Sequence, residues 1–120
     1  MIRVTGSELV ARGSPIQLVC NATGRRRPPL DVDWLKDGRL ISSDAQSGLI
    51  ITRKTESSTL VSVLAVRRSK MTDAGQYSCR SSDNNVASIV LHVYSGIAFP
   101  LSFLQRFDAV GKNWPASRFF

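Results

Sequence analysis

The chain is short of nearly everything from which a catalytic or metal centre is built. Its 120 residues contain one histidine, His92, and two cysteines, Cys20 and Cys79. Nucleophilic catalysis of the triad type needs an imidazole beside a hydroxyl or thiol. Alternation along Ile89 to Val93 turns His92 outward, far in sequence from any serine arranged as a nucleophile. One histidine is too few for a zinc-ligand set once the cysteines are otherwise used. Calcium needs clustered carboxylates, but Asp31, Asp33 and Asp37 are spread along one strand-like segment and Asp83 has only asparagines beside it. There is no glycine-rich phosphate loop and no apolar run near the roughly 20 residues that cross a bilayer. The opening residues Met1 to Gly6 lack the apolar stretch of a secretory signal and lead directly into strand-like sequence, so the chain is expected to be part of a longer product. Neither a cofactor nor a metal is expected, and the chain is not expected to be an enzyme.

Residues 1–94 also lack phenylalanine: all five, Phe99, Phe103, Phe107, Phe119 and Phe120, follow Tyr94. The chain therefore divides into a domain over 1–94 and a tail over 95–120. In the tail Phe103, Leu104, Phe107, Val110 and Trp114 recur at helical spacing between Pro100 and Pro115. That pattern predicts a short amphipathic helix, unless the tail is a variant ending foreign to the domain. Before it, the dominant period is two. Ile2 to Arg12 reads as one or two strands, and Gly13-Ser14-Pro15 as a turn. Ile16 to Cys20 is a strand with Ile16, Leu18 and Cys20 on one face. Gly24 to Pro29, with three arginines and two prolines, is a loop. Val32 to Leu35 is a strand, and Asp37-Gly38 is a hairpin signal leading to Leu40 and Ile41. Leu49 to Arg53, Thr59 to Val66, the segment around Tyr77 and Cys79, and Ile89 to Val93 complete the set.

Cys20 and Cys79 bracket Trp34, and the second cysteine closes the run Asp73-Ala74-Gly75-Gln76-Tyr77-Ser78-Cys79. This constellation resembles the immunoglobulin superfamily. Trp34-Leu35-Lys36-Asp37-Gly38 and the short interval after it are similar to the intermediate (I-set) class. Gly13 to Cys20, Ile41 to Asp44 with Gly48, and Cys79 to Ser88 further resemble the second immunoglobulin domain of the arthropod defective-proboscis-extension-response family, neuronal cell-surface proteins with two such domains. The resemblance implies an all-β, Greek-key sandwich with sheets A-B-E-D and C′-C-F-G. It also implies a Cys20–Cys79 disulfide between the sheets, sealed by Trp34, and an E–F corner anchored by the Tyr77 hydroxyl. Asp73 and Gly75 belong to the same corner, with Asp73 expected to accept a charged partner such as Arg53. Two reduced cysteines in a cytosolic domain are the alternative. The acceptor triplet Asn21-Ala22-Thr23, with Asn21 turned outward, favours the oxidised and glycosylated state.

In the family resembled, partner recognition is mainly the work of the first domain, so none of its binding residues carries over to this chain. The implied function is an extracellular module for cell-surface recognition or adhesion, with a spacer role as the alternative. Two faces are candidate protein interfaces. The C-F-G face presents Asp33, Leu35, Gln76, Arg80, Ser88, Val90 and His92, and the A-B-E-D face presents Val19, Val61, Val63 and Ala65, a strip suited to a weak homodimer. The net charge of +7 adds a third candidate, an acidic ligand. Arg12, Lys36, Arg39, Arg67, Arg68 and Lys70 are expected to gather where the A′–B, C–C′ and E–F turns meet, opposed only by Asp37 and Asp73. A heparan-type glycan or an anionic membrane surface fits such a site better than nucleic acid, because the exposed faces lack stacking aromatics.

Overall fold

Period-two alternation becomes nine strands in the computed structural model, which describes residues 1–95. The strands are β1 (Ile2–Gly6), β2 (Leu9–Ala11), β3 (Ile16–Thr23), β4 (Val32–Lys36), β5 (Arg39–Ile41), β6 (Leu49–Glu56), β7 (Thr59–Val66), β8 (Gly75–Ser81) and β9 (Val86–Tyr94), with a 3₁₀ turn over Met71–Asp73. They form a four-stranded sheet, β1-β3-β7-β6, and a five-stranded sheet, β2-β9-β8-β4-β5. The expected A-B-E-D and C′-C-F-G layers are both present. The second gains β2, which crosses from the first sheet and pairs in parallel with β9, Leu9 opposite His92. The strands around Cys20, Arg53 and Ile89 run longer than their apolar cores suggested, because polar residues such as Lys54 and Glu56 keep pairing with β7 beyond the buried stretch. The helix expected over Phe103 to Trp114 lies outside the described residues.

Each strand buries one side. β7 alternates strictly, with Leu60, Ser62, Leu64 and Val66 buried between half-buried neighbours. The core between the sheets comprises Val10, Ile16, Leu18, Cys20, Ala22, Val32, Trp34, Leu60, Leu64, Val66, Tyr77, Cys79, Leu91 and Val93. Cys20 and Cys79 are bonded across it, and Trp34 stands directly opposite Cys79 in the β4–β8 register. The serine within this apolar face has a task. The Trp34 indole N–H donates to Ser62 Oγ at 2.9 Å, and Ser62 donates onward to the Thr52 carbonyl at 2.9 Å. A buried indole N–H without an acceptor costs about 1–3 kcal/mol, so the position opposite Trp34 requires a hydroxyl.

Candidate functional site

Turn chemistry builds the end of the sandwich at which β9 leaves. The β4–β5 hairpin turns on Asp37 (φ 51°) and Gly38 (φ 84°), the paired positive angles of a primed two-residue turn. The Asp37 carboxylate folds back to accept the Gln76 backbone N–H at 3.0 Å. Gly75 lies beneath it at φ +153°, where a Cβ would stand 2.7 Å from Asp37 Oδ2. Glycine is thus required at 75 by backbone angle and by the carboxylate together.

Tyr77 completes the corner. Its hydroxyl donates to the Asp73 carbonyl at 2.6 Å, and the Asp73 carboxylate accepts the Lys70 N–H at 2.7 Å. The expected Asp73–Arg53 pair does not form. β6 starts at this end with Leu49, and at about 3.3 Å per residue Arg53 is carried about 13 Å down the strand, where it pairs with Asp31. Burial first, then the negative charges of Asp73 and Asp37, push the Tyr77 phenol up to about 12 from 10.0. The unfolded chain therefore releases this proton at lower pH than the native state, so the stabilisation is whole below pH 10 and is lost as pH rises towards 12. Two units correspond to about 2–3 kcal/mol. Tyr77→Phe should unfold more readily at pH 7 by about 1–2 kcal/mol, the worth of the hydrogen bond. It should also lose much of the alkaline decline between pH 10 and 12, which urea melts across that range will measure.

The outer face of the five-stranded sheet is the first of the two protein-interface candidates. Register sets Leu40, Leu35, Ser78 and Ser88 in one row across β5, β4, β8 and β9, with Gln76 and Val90 paired beside it. Leu40 is 66% exposed and Val90 44%. Leu40 was not among the expected surface residues. Ile41 opposes buried Trp34, so alternation puts Leu40 outside, and that pairing was the available signal. Asp33 and Arg80 form a half-exposed pair at 3.2 Å. His92 is outward on β9, as expected, and its backbone N–H donates to the Glu8 carbonyl.

The opposite face carries the valine strip. Val19 pairs with Val63 and Asn21 with Val61, while Ile50, about half exposed, stands opposite Ala65. The valines and Ala65 are only half-buried, and Asn21 lies within the strip between Arg3 and Val61. Between the sheets an open cleft of about 440 Å³ is floored by Trp34, Ile41, Ile51 and Ser62 and rimmed by Asp31, Asp33 and Arg53. No nucleophile and base meet there. Among the described residues no three of His, Cys, Asp or Glu are grouped to hold a metal, and no helix is long and apolar enough to cross a membrane.

The cationic candidates do converge. Gly13 N–H donates to the Ser69 carbonyl at 2.9 Å and Ser69 N–H to the Ser14 carbonyl at 2.9 Å, so the β2–β3 and β7–β8 turns are bonded together. Arg12, Arg39, Arg67, Arg68 and Lys70 are exposed there. Lys36 lies at this end too, but its ammonium is engaged, donating to the Thr72 carbonyl and standing 5.9 Å from the Tyr77 ring centroid. Asp44 is a third acid at this end, brought there by its bridge to Leu49.

Residues 1–83 match the family model described as immunoglobulin domain. Among curated proteins, the chain is 40% identical over 70 residues to mouse hemicentin-2, covering 58% of this chain and 1% of that one. It is 26% identical over 90 residues to the Zwei Ig domain protein zig-8 of Caenorhabditis elegans, covering 75% and 32%. The chain thus spans a small part of the length of these relatives. Among solved structures, the Dpr2 Ig1-Ig2 complex with DIP-Theta Ig1-Ig3 aligns with a TM-score of 0.63 at 19% identity, over 79% of this chain and 50% of that one. The ZIG-8 IG1 homodimer aligns at 0.56 and 22% identity, over 76% and 82%.

Proposed function

The chain belongs to the immunoglobulin domain family, and on that premise we propose that it is a non-catalytic, extracellular recognition module of a cell-surface protein whose β5-β4-β8-β9 face takes a second immunoglobulin domain. The observation that carries this reading is the row Leu40–Leu35–Ser78–Ser88 with Val90 beside it. Leu40, Leu35 and Val90 supply its apolar area beside the hydrogen-bonded Ser78–Ser88 pair, with Asp33 and Arg80 on one side and Gln76 and His92 on the other. Non-obligate protein interfaces mix apolar and polar area in this way, about as apolar as the rest of a protein surface. Similar structures are themselves immunoglobulin domains paired with immunoglobulin domains, which supports the choice of partner class. Asn21 supports the choice of face. As a glycan acceptor on the β3-β7 side it would crowd the valine strip and leave the other face open.

The test is a panel of soluble immunoglobulin-domain ectodomains, this chain included, measured for binding to the immobilised chain. Leu35→Asp with Leu40→Asp should weaken a captured partner by at least about 30-fold, the scale of losing a central contact. Ile50→Asp, on the opposite face, should leave binding unchanged. The reverse pattern would move the interface to the valine strip. A panel without any binder would leave the domain as a spacer.

A further inference from the structure

We propose that the end of the sandwich carrying Arg12, Arg39, Arg67, Arg68 and Lys70 is a binding site for a linear sulfated polysaccharide. Three observations carry it. First, topology spreads the cations along one end of the sandwich. Arg12 follows β2 and Arg39 opens β5, the two edges of the five-stranded sheet. Four strand spacings separate those edges, about 19 Å. Arg67, Arg68 and Lys70 follow β7, on the segment that passes from the four-stranded sheet to β8 and is bonded at Ser69 to the turn bearing Arg12. A spread of this length matches an extended polyanion rather than a single small anion.

Second, the spread is held in advance. Ser69, buried between Arg68 and Lys70, accepts the Gly13 N–H on its hydroxyl and donates that hydroxyl to the Ala11 carbonyl at 3.0 Å. Arg12 N–H donates to the Tyr94 carbonyl at 2.7 Å. The backbone bearing the cations is thus ordered before a ligand arrives, which lowers the entropy cost of binding.

Third, the charges are uncommitted. Among the described residues the ion pairs are Arg53–Asp31, Lys54–Glu56 and Arg80–Asp33, and none involves these five cations. The acids at this end are turned to backbone donors: Asp37 to Gln76, Asp73 to Lys70 and Asp44 to Gln46. Four of the five cations are arginines, whose planar fork grips tetrahedral oxyanions in bidentate fashion. Anionic lipid offers related chemistry, but it is concentrated on the cytoplasmic leaflet. The choice of glycan therefore rests on the extracellular reading above.

The experiment measures affinity of the full chain for a size-defined heparin oligosaccharide, with two triple variants of identical charge change. Arg67→Ser, Arg68→Ser and Lys70→Ser should raise Kd about tenfold, as three exposed charge contacts would. Arg25→Ser, Arg26→Ser and Arg27→Ser, in the β3–β4 loop at the opposite end, should raise it less than about threefold. Arg12→Ser with Arg39→Ser, at the two sheet edges, should raise it about fivefold. Equal losses in the two triple variants would reduce the effect to net charge and overturn the site. Binding to phosphatidylserine vesicles with the same variant sensitivity, and none to heparin, would overturn the glycan. Binding that survives desulfation of the oligosaccharide would also count against it. None of these readouts uses the β5-β4-β8-β9 face, so this site and the proposed interface succeed or fail separately.

Discussion

Replacing Cys20 and Cys79 together by alanine should lower stability by about 4 kcal/mol. The bond closes a loop of sequence separation 59 between two sheets, and loop-closure entropy returned to the unfolded chain is of that order. A domain of this size holds only about 5–15 kcal/mol in total, so the double variant should keep about 1–11 kcal/mol at 25 °C. With a urea dependence of about 2 kcal/mol per molar, the midpoint should fall by roughly 2 M. Reduction of the native chain should produce the same shift. A shift below about 0.5 M would show that strand pairing alone carries the fold.

Trp34→Ala should cost a similar amount, about 3–5 kcal/mol, for a different reason. Trp34 is 2% exposed, lies opposite Cys79 and is the largest fully buried side chain among the described residues. Its removal leaves a cavity between two sheets whose strands are fixed by their ladders and cannot close on it. It also takes the indole donor from Ser62, whose hydroxyl still donates to Thr52. Trp34→Phe separates the two effects. It keeps most of the volume and loses the hydrogen bond, so it should cost about half as much. Thermal melts followed by far-ultraviolet circular dichroism will order the three proteins. If the phenylalanine variant melts with the alanine variant, the hydrogen bond and not the filled volume is what the indole supplies.

What could be read from the chain beforehand divides along a physical line. Patterns set by local rules were legible, namely the period of β3 and β7 and the Asp37-Gly38 turn, while the role of the Cys–Trp–Cys spacing and the meeting of three turns at one end came with the family resemblance. Features that depend on where two distant strands meet were not legible. The Arg53–Asp31 pair follows from how far β6 has run by its fifth residue, which no local pattern records. The engagement of the Lys36 ammonium depends on a carbonyl at Thr72, in the E–F segment. Ser62 was overlooked among its leucine neighbours, although a serine at an inward position between Leu60 and Leu64 is a sign of a buried donor needing a partner. Leu40 was overlooked because a three-residue strand has too few positions for alternation to declare itself. Its face became clear only from its pairing with Leu35.

The proposed recognition role divides the molecule between two faces, one that would be offered to partners and one that a glycan at Asn21 would shield. Hydrogen-exchange footprinting of the chain, bound to whichever immunoglobulin-domain ectodomain it captures, tests this most directly. The account predicts new protection in peptides from Val32–Ile41 and Gly75–Tyr94, with β3, β6 and β7 unchanged. Protection centred on Ile16–Thr23 and Leu49–Val66 would contradict it.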